Sequence, residues 1–370
     1  MQKREKMLFH HKRSSVQAPA AGARILIIRL SALGDVLHAT TVVHRLRELR
    51  PDLDITWLVS PPADVLLRYN PDIDHLLVWD RRPIDHASAS HDWRTVVREL
   101  RAARQLLRHQ QFDIVLDIQG LFLTGLLARF TSAPRRIGIH ERHEGNPLFM
   151  TEMAPDIASP HKVKRYFTAL APLAIGPEAF EPCPVLRLPP ELDRFAAGFW
   201  PQHGISSGDP SRPLLLVCLR TTWPDKHWPP QKFAEALAPL PENIQIVFIG
   251  SQSDAPYIGQ TRAAIARPTS SIAGMTGLLE LAALMQTADL LLSCDTGPLY
   301  IAEAIGLPTL SLWGPTAPSI YGPLSPGHHF IESPSACRSC CRTRCRKHTN
   351  ECINAIDPAI VTRKLKELLC

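Results

Sequence analysis

With 370 residues, 45% of them hydrophobic and 21% charged, the chain is long enough for two domains and has the make-up of an ordinary globular protein. No apolar run reaches the about 18–20 residues that a membrane span needs, and the N-terminus shows neither an apolar core region nor a small-residue cleavage site, which points to a cytoplasmic protein. The net charge of +6 is modest but unevenly placed. Lys3, Arg4, Lys6, Lys12 and Arg13 crowd a tail, and Arg81, Arg82, Arg94, Arg98, Arg101, Arg104 and Arg108 crowd a second segment. Such clusters suit anionic lipid headgroups, phosphorylated glycans or nucleic acid. For Arg98, Arg101, Arg104 and Arg108, spaced three or four apart, a solvated helix face is an equally good reading.

In chain order, residues 1–22 lack periodicity and read as a disordered basic arm. A short apolar run, 23–28, then has the character of a fully buried parallel strand. It empties into Ser31-Ala32-Leu33-Gly34-Asp35, where Gly34 permits a close or left-handed turn. Val36, Leu37, Thr40, Val43, Leu46 and Leu49 follow at helical spacing, so this is a strand–turn–helix unit. Its turn directs backbone N–H groups and a helix N-terminus into the crevice where α/β proteins bind ligands. Asp35 belongs to that crevice, either as a catalytic carboxylate or as a complement to the helix end.

Further strands are expected at 55–59, 75–79 and 112–117, with helices at 63–68 and 93–109, which makes a parallel doubly wound sheet. The last of these strands ends in Asp117-Ile118-Gln119-Gly120, which brings Gln119 and Gly120 to the same crevice as Asp35. The stretch 135–160 reads as loop and 161–171 as a helix. Residues 173–190, with Pro177, Pro182, Pro184, Pro189 and Pro190, form the best linker in the chain. The first domain thus covers 23–172, and a second alternation of strands and helices covers 191–356. It is followed by a C-terminal helix, 357–370, expected to pack back toward the first domain. Two Rossmann-like halves joined by a hinge imply an interdomain cleft, where ligand sites are common.

In the second half, the strand 214–219 runs into a loop carrying Thr221, Thr222 and Lys226, the hydroxyls and ammonium that a diphosphate demands. A solvated surface loop accounts for the same residues. Asp254, after the next strand, fits ribose hydroxyls or a helix cap. The most specific stretch is Ser293-Cys294-Asp295-Thr296-Gly297-Pro298-Leu299-Tyr300, completed by Trp313-Gly314-Pro315-Thr316. Asp295 and Thr296 end a strand and open a helix at whose start Pro298 fits, an anion- and hydroxyl-binding corner.

Taken together, Ser31-Ala-Leu-Gly-Asp-Val, Asp117-Ile-Gln-Gly, Thr221-Thr222 with Asp225-Lys226-His227-Trp228-Pro229, Asp295-Thr-Gly-Pro and Gly314-Pro-Thr resemble glycosyltransferase family 9. These are the ADP-heptose:lipopolysaccharide heptosyltransferases of the two-domain GT-B fold, and the resemblance runs from about Arg24 to the C-terminus. It implies inverting, metal-independent transfer of a heptose from ADP-heptose to a sugar hydroxyl of the lipopolysaccharide inner core. Asp35 is then the general base, which is chemically sensible because direct displacement needs the acceptor hydroxyl deprotonated as it attacks. By the same resemblance Thr221, Thr222 and Lys226 hold the diphosphate, Met275 and Asp254 line the nucleoside pocket, and Asp295, Thr296 and Gly297 hold the heptose and phosphate. Ser31, Gly34, His38, Gln119 and Gly120 make up the acceptor side. His38 assists proton movement or is simply a positioned helix residue.

One departure is Tyr300, where the family usually has His; Tyr donates a hydrogen bond but brings no positive charge at neutral pH. The implied partners are a nucleotide sugar, a lipopolysaccharide core or lipid A-linked acceptor and the inner-membrane surface, not nucleic acid. The protein is then peripheral to the inner face of the cytoplasmic membrane. Alternatives are a related transferase that uses another nucleotide sugar or a protein acceptor, as in autotransporter-type heptosyl transfer, and a non-catalytic nucleotide-sugar-binding protein. The presence of both Asp35 and Lys226 argues against the last, since a pure binder needs no base.

Five of the nine cysteines lie in 337–352. Cys337, Cys340, Cys345 and Cys352 have the spacing of a structural zinc or iron site, and reduced thiols in a basic loop are the other reading.

Overall fold

Ile25, Leu26, Ile27 and Ile28 are wholly shielded from solvent, as a strand covered by helices on both faces requires. In the computed structural model, which describes residues 16–141 and 144–370, they form β1 (Arg24–Ile28). Parallel to it run β2 (Asp54–Val59), β3 (His75–Val78), β4 (Ile114–Asp117), β5 (Arg135–Gly138) and β6 (Glu152–Met153), in the spatial order β3-β2-β1-β4-β5-β6. A second parallel sheet contains β7 (Leu214–Cys218), β8 (Gln245–Ile249), β9 (Ser270–Ser271), β10 (Leu290–Cys294), β11 (Thr309–Trp313) and β12 (His328–Glu332), in the order β12-β11-β10-β7-β8-β9. Counted from its own first strand, each sheet has the doubly wound order 3-2-1-4-5-6, so the strand order reverses between β1 and β4 in one and between β7 and β10 in the other. Ligand crevices open at such reversals, beyond the carboxyl ends of the strands.

The chain divides into two units, Met1–Arg187 and Leu188–Cys370, each with its own core. In the first, Ile27, Val36, Val43, Trp57, Leu116 and Tyr166 pack on one face of the sheet and Leu26, Ile28, Leu107 and Val115 on the other. The division falls inside the proline-rich stretch, but most of that stretch is packed rather than a free linker. Leu173 and Ile175 are buried in the first core, and Val185 N–H donates to Thr40 Oγ1 at 2.7 Å.

Several expectations are corrected. Within 135–160 lie β5 and β6, strands of four and two residues, too short and too polar to show a period. The helix expected over 161–171 is α-helical only at Lys162–Phe167 and tightens to a 3₁₀ turn over Thr168–Leu173. Of the arm expected over 1–22, residues 1–15 lie outside the described residues. Residues 16–22 are fastened to the first unit, with Gln17 N–H on Pro172 O at 3.0 Å and Arg50 Nη1 on Pro19 O at 3.0 Å. The C-terminal helix, Pro358–Leu369, turns its buried Val361 and Leu365 into the second unit's own core, beside Trp228, Phe233 and Leu237. Apolar burial settles that position, since these side chains complete the face that covers β7 and β8.

Candidate active site

Gly34 is not a turn residue: it is buried inside the helix Leu33–Leu49 and is not among the described glycines with positive φ. That helix begins at Ala32 without a side-chain cap, and Asp35 lies in its first turn. The Asp35 carboxylate therefore keeps a favourable place near the positive helix end, while both of its oxygens go to side chains.

Register explains which ones. Ile28 of β1 pairs with Asp117 of β4, so the residue after β1, Arg29, comes beside Ile118. Arg29 Nη1 donates to Ile118 O at 2.9 Å and Nη2 lies 2.6 Å from Asp35 Oδ2. The guanidinium also covers the Tyr166 ring, 4.7 Å from its centroid. Tyr166 Oη in turn donates to Asp35 Oδ1 at 2.7 Å, and Lys162 Nζ lies 3.5 Å from the same oxygen. Lys162 and Tyr166 stand four apart on the helix Lys162–Phe167 and so share a face. Beyond them, Glu141 pairs with Lys162 at 3.3 Å and with Arg165 at 3.0 Å.

Burial pushes the Asp35 carboxyl upward, but the charges of Arg29 and Lys162, the Tyr166 hydroxyl and His38 outweigh it and hold the group well below the usual carboxylate range. The same burial opposes charge on Arg29, and Asp35, Tyr166 and Glu141 together more than restore it. Tyr166 is pushed far up, first by burial, so its hydroxyl remains a donor. Asp35 keeps 23% of its side chain exposed against 4% for Arg29, so the carboxylate is reachable from solvent and its counter-charge is not.

The loop after β4 is held by Asp117. Its Oδ1 accepts the N–H groups of Gln119 at 3.0 Å and Gly120 at 3.1 Å, and its Oδ2 accepts Asn146 Nδ2 at 2.6 Å. Gly120 sits at φ +74°, a conformation that favours glycine. Gln119 Oε1 then accepts the Leu30 N–H at 2.6 Å, which ties this loop to the segment carrying Arg29. Ser31 Oγ accepts from Arg81 at 3.4 Å, and the buried His38 ring lies 6.2 Å from that of His161.

In the second unit, the register of β10 with β7 and β11 brings the loops after all three strands to one place. The buried Asp295 is its centre. Its Oδ2 lies 2.7 Å from Lys226 Nζ and accepts Thr316 Oγ1 at 2.8 Å, while Oδ1 accepts the Tyr300 hydroxyl at 2.6 Å. The Lys226 ammonium also stands 4.2 Å from the centroid of the Trp223 ring. Thr221 uses its hydroxyl locally: it donates to Trp223 O at 2.8 Å and accepts Trp223 N–H at 3.0 Å. Thr222 is exposed at the loop's surface. Thr296 and Gly297 open the helix Gly297–Ile305, with extended backbone at Thr296 and Pro298 in the first turn.

Asp254 closes its own turn, accepting Ser251 N–H and Oγ, each at 2.8 Å, on Oδ2; its Oδ1 takes Arg220 at 3.2 Å. This is capping geometry, with one oxygen shared with a cation. Met275 is 54% exposed. All nine cysteines are free thiols. Among the described residues, no group of three or more His, Cys, Asp or Glu side chains is placed to hold a metal ion. Cys337, Cys340, Cys345 and Cys352 as arranged do not make up a ligand set. Cys345 is held below the usual thiol range by backbone N–H groups, that of Asn350 first.

Sequence reasoning therefore placed Asp35, Gln119, Lys226, Asp295 and Tyr300 in polar clusters at strand ends, and missed Arg29, Lys162, Tyr166 and Trp223. An arginine ending a run of four buried aliphatics, and a Lys/Tyr pair at i,i+4, were the available signals.

The chain is similar to known proteins in sequence and in fold. The model of glycosyltransferase family 9 (heptosyltransferase) matches residues 100–350. The lipopolysaccharide core heptosyltransferase OpsX of Haemophilus influenzae is 31% identical over 294 residues, which cover 78% of this chain and 78% of that protein. A family 9 glycosyl transferase from Veillonella parvula superposes with a TM-score of 0.82 at 24% identity, covering 95% of this chain and 99% of that one. The E. coli heptosyltransferase WaaC with ADP gives a TM-score of 0.71 at 19% identity, covering 93% and 99%. At these identities the two structures speak to the fold.

Proposed function

Because the chain belongs to glycosyltransferase family 9, with the GT-B fold and the glycosyltransferase activity of that family, we propose that it moves a heptose from ADP-heptose to a sugar hydroxyl of the lipopolysaccharide inner core, with inversion. The acceptor is lipid A-linked, and the protein works at the inner face of the cytoplasmic membrane. In this reading the acceptor hydroxyl gives its proton to Asp35 as its oxygen bonds to the anomeric carbon. The bond from that carbon to the diphosphate oxygen breaks, and ADP leaves with the electron pair. Lys226 offsets the charge that grows on the leaving diphosphate. Thr222 and the N-terminus of the helix Gly297–Ile305 supply further donors for it.

The observation that carries this reading is the ionised, solvent-reachable Asp35 at the strand-order reversal, its charge fixed by the buried Arg29 2.6 Å away. A carboxylate held so far below its usual range is a weak base. Proton transfer therefore accompanies C–O bond formation rather than preceding it. The test is Asp35→Asn, followed as ADP release from ADP-heptose plus acceptor and as ADP binding. Turnover should fall by about 10³-fold or more with binding of ADP within about twofold, whereas retained turnover would sink the base assignment.

Tyr300 favours one variation of this reading. Its hydroxyl donates to Asp295 at 2.6 Å, so toward a donor sugar it offers its oxygen as an acceptor rather than its proton, and it brings no positive charge. A panel of ADP- and UDP-sugars in thermal shift separates the donors, since only a ligand that binds the folded state raises its melting temperature.

A further inference from the structure

We infer that the exposed face of the helix Trp93–Arg108 is the surface by which the protein docks on an anionic lipid bilayer. The membrane location rests on the functional reading above; the surface is argued from the helix itself.

The helix carries five arginines, Arg94, Arg98, Arg101, Arg104 and Arg108, against one carboxylate, Glu99, which Arg98 takes at 3.0 Å. All five arginines are exposed. A charged face facing water alone is normally mixed in sign, with acids and bases three or four apart supporting one another. Apart from Glu99 and the cap residue Asp92, this one is cationic, and its arginines three and four apart repel one another. A layer of lipid phosphates relieves that repulsion.

The same face also carries apolar surface where a solvated helix has none to spare. Trp93 is 62% exposed and Val97, one turn on, 44% exposed. With Arg94, Arg98 and Arg101 they border one shallow depression. An indole beside guanidinium groups is the pairing that seats in the headgroup region, ring at the acyl boundary and cations on phosphates.

The position of the helix suits the task. Sixteen residues span about 24 Å, whereas the four residues of β4, into which the helix leads, span about 13 Å. The helix is therefore longer than the layer it covers. Its fully buried residues, Ala103 and Leu107, both lie in its second half, which ends near the amino edge of β4. The helix packs on the helix Arg82–Ala89 that precedes it, and as part of the crossover from β3 to a parallel strand in the same sheet it starts at the carboxyl edge of the sheet, the edge on which Asp35 lies. Docking through Trp93, Arg94 and Arg98 would hold that edge, and the acceptor hydroxyl it serves, close to the bilayer surface.

The test is co-sedimentation of the full chain with vesicles of phosphatidylcholine containing about 30% phosphatidylglycerol, against phosphatidylcholine alone. The full chain should sediment with the anionic vesicles only, and salt near 0.5 M should release it. Arg94→Gln/Arg98→Gln/Arg101→Gln should cut the partition coefficient about tenfold or more, and Trp93→Ala severalfold. Circular dichroism and turnover on a soluble, deacylated acceptor should be unchanged in both variants, which separates this inference from the heptose-transfer reading. Three results would overturn it: no binding by the full chain, equal binding by the triple variant, or binding lost on removal of residues 1–15 while the helix variants bind normally. Displacement by a soluble polyanion with no vesicle binding counts as the first of these.

Discussion

Arg29 and Asp35 form an ion pair in which the cation is sealed from solvent and the anion is not: Nη2 to Oδ2 is 2.6 Å, with side-chain exposures of 4% and 23%. Removing the arginine leaves a carboxylate in a site built for its charge, with Lys162 and Tyr166 as the remaining partners. Arg29→Met should destabilise the protein by about 3 kcal/mol, the usual cost of breaking such a pair. Turnover should fall by about tenfold to a hundredfold with little change in donor affinity. Arg29→Lys should rescue only part of this, because one ammonium cannot span Ile118 O and Asp35 as the planar guanidinium does. Chemical denaturation and ADP-release kinetics on both variants check these outcomes.

The same contacts set the sign of the pH dependence. Asp35 in the folded chain lies below its unfolded value of about 3.9, so its stabilisation is complete above that value and is lost as pH falls through the folded pKa. The gap in unfolding free energy between the wild type and Asp35→Asn should be flat from about pH 5.5 to pH 8 and should shrink below about pH 4. A gap that stays constant down to pH 3 would remove the ion pair from the account. It also follows that an acid limb in the rate profile between pH 5 and pH 8 belongs to a group other than Asp35.

Asp295 is the counterpart in the second unit, buried with Lys226, Thr316 and Tyr300 on its two oxygens. Lys226→Met should weaken ADP binding by tenfold or more and cost about 2–3 kcal/mol of stability, since it leaves the carboxylate with neutral donors only. In Lys226→Met/Asp295→Asn the buried charge is gone as well, so stability should return in large part while ADP binding does not. Titration calorimetry and thermal denaturation of the two single variants and the double variant give the coupling directly. Additive losses would mean that the pair is incidental.

Much of this architecture is visible in the chain because parallel strands with both faces covered leave continuous apolar runs. β1, β7 and β10 are such runs, and the residues just after them, Asp35, Lys226 and Asp295, are where a strand-order reversal concentrates polar groups. Short strands away from the sheet centre leave no such trace: β5 reads Arg-Arg-Ile-Gly and β12 His-His-Phe-Ile-Glu, patterns shared with any loop. The partners of Asp35 were hidden for another reason. Lys162 and Tyr166 lie 127 and 131 residues away in sequence, and a contact of that span is set by packing between elements, not by local spacing. Gly34 shows the reverse difference: a glycine that reads as a turn residue lies buried in the first turn of a helix.

Gly314 gives a prediction that joins packing to the site. A Cβ there would stand 2.9 Å from the backbone nitrogen and Cβ of Ile353, and the Ile353 side chain is fully buried in the second core, so the obstacle cannot swing aside. The same turn is pinned from the other direction, with Gly314 O accepting Ser339 N–H at 2.9 Å and Pro315 O accepting Cys341 N–H at 2.7 Å. Two residues on, Thr316 reaches Asp295. Gly314→Ala should therefore cost about 1–3 kcal/mol and pull Thr316 from the carboxylate, lowering turnover as well as stability. Thr316→Val is the matched control, because it removes the hydroxyl and leaves the turn in place. If displacement of the turn is what matters, Gly314→Ala should lose more melting temperature than Thr316→Val while its turnover falls at least as far. A Gly314→Ala protein as stable as the wild type would show that the turn yields and that Ile353 does not hold it.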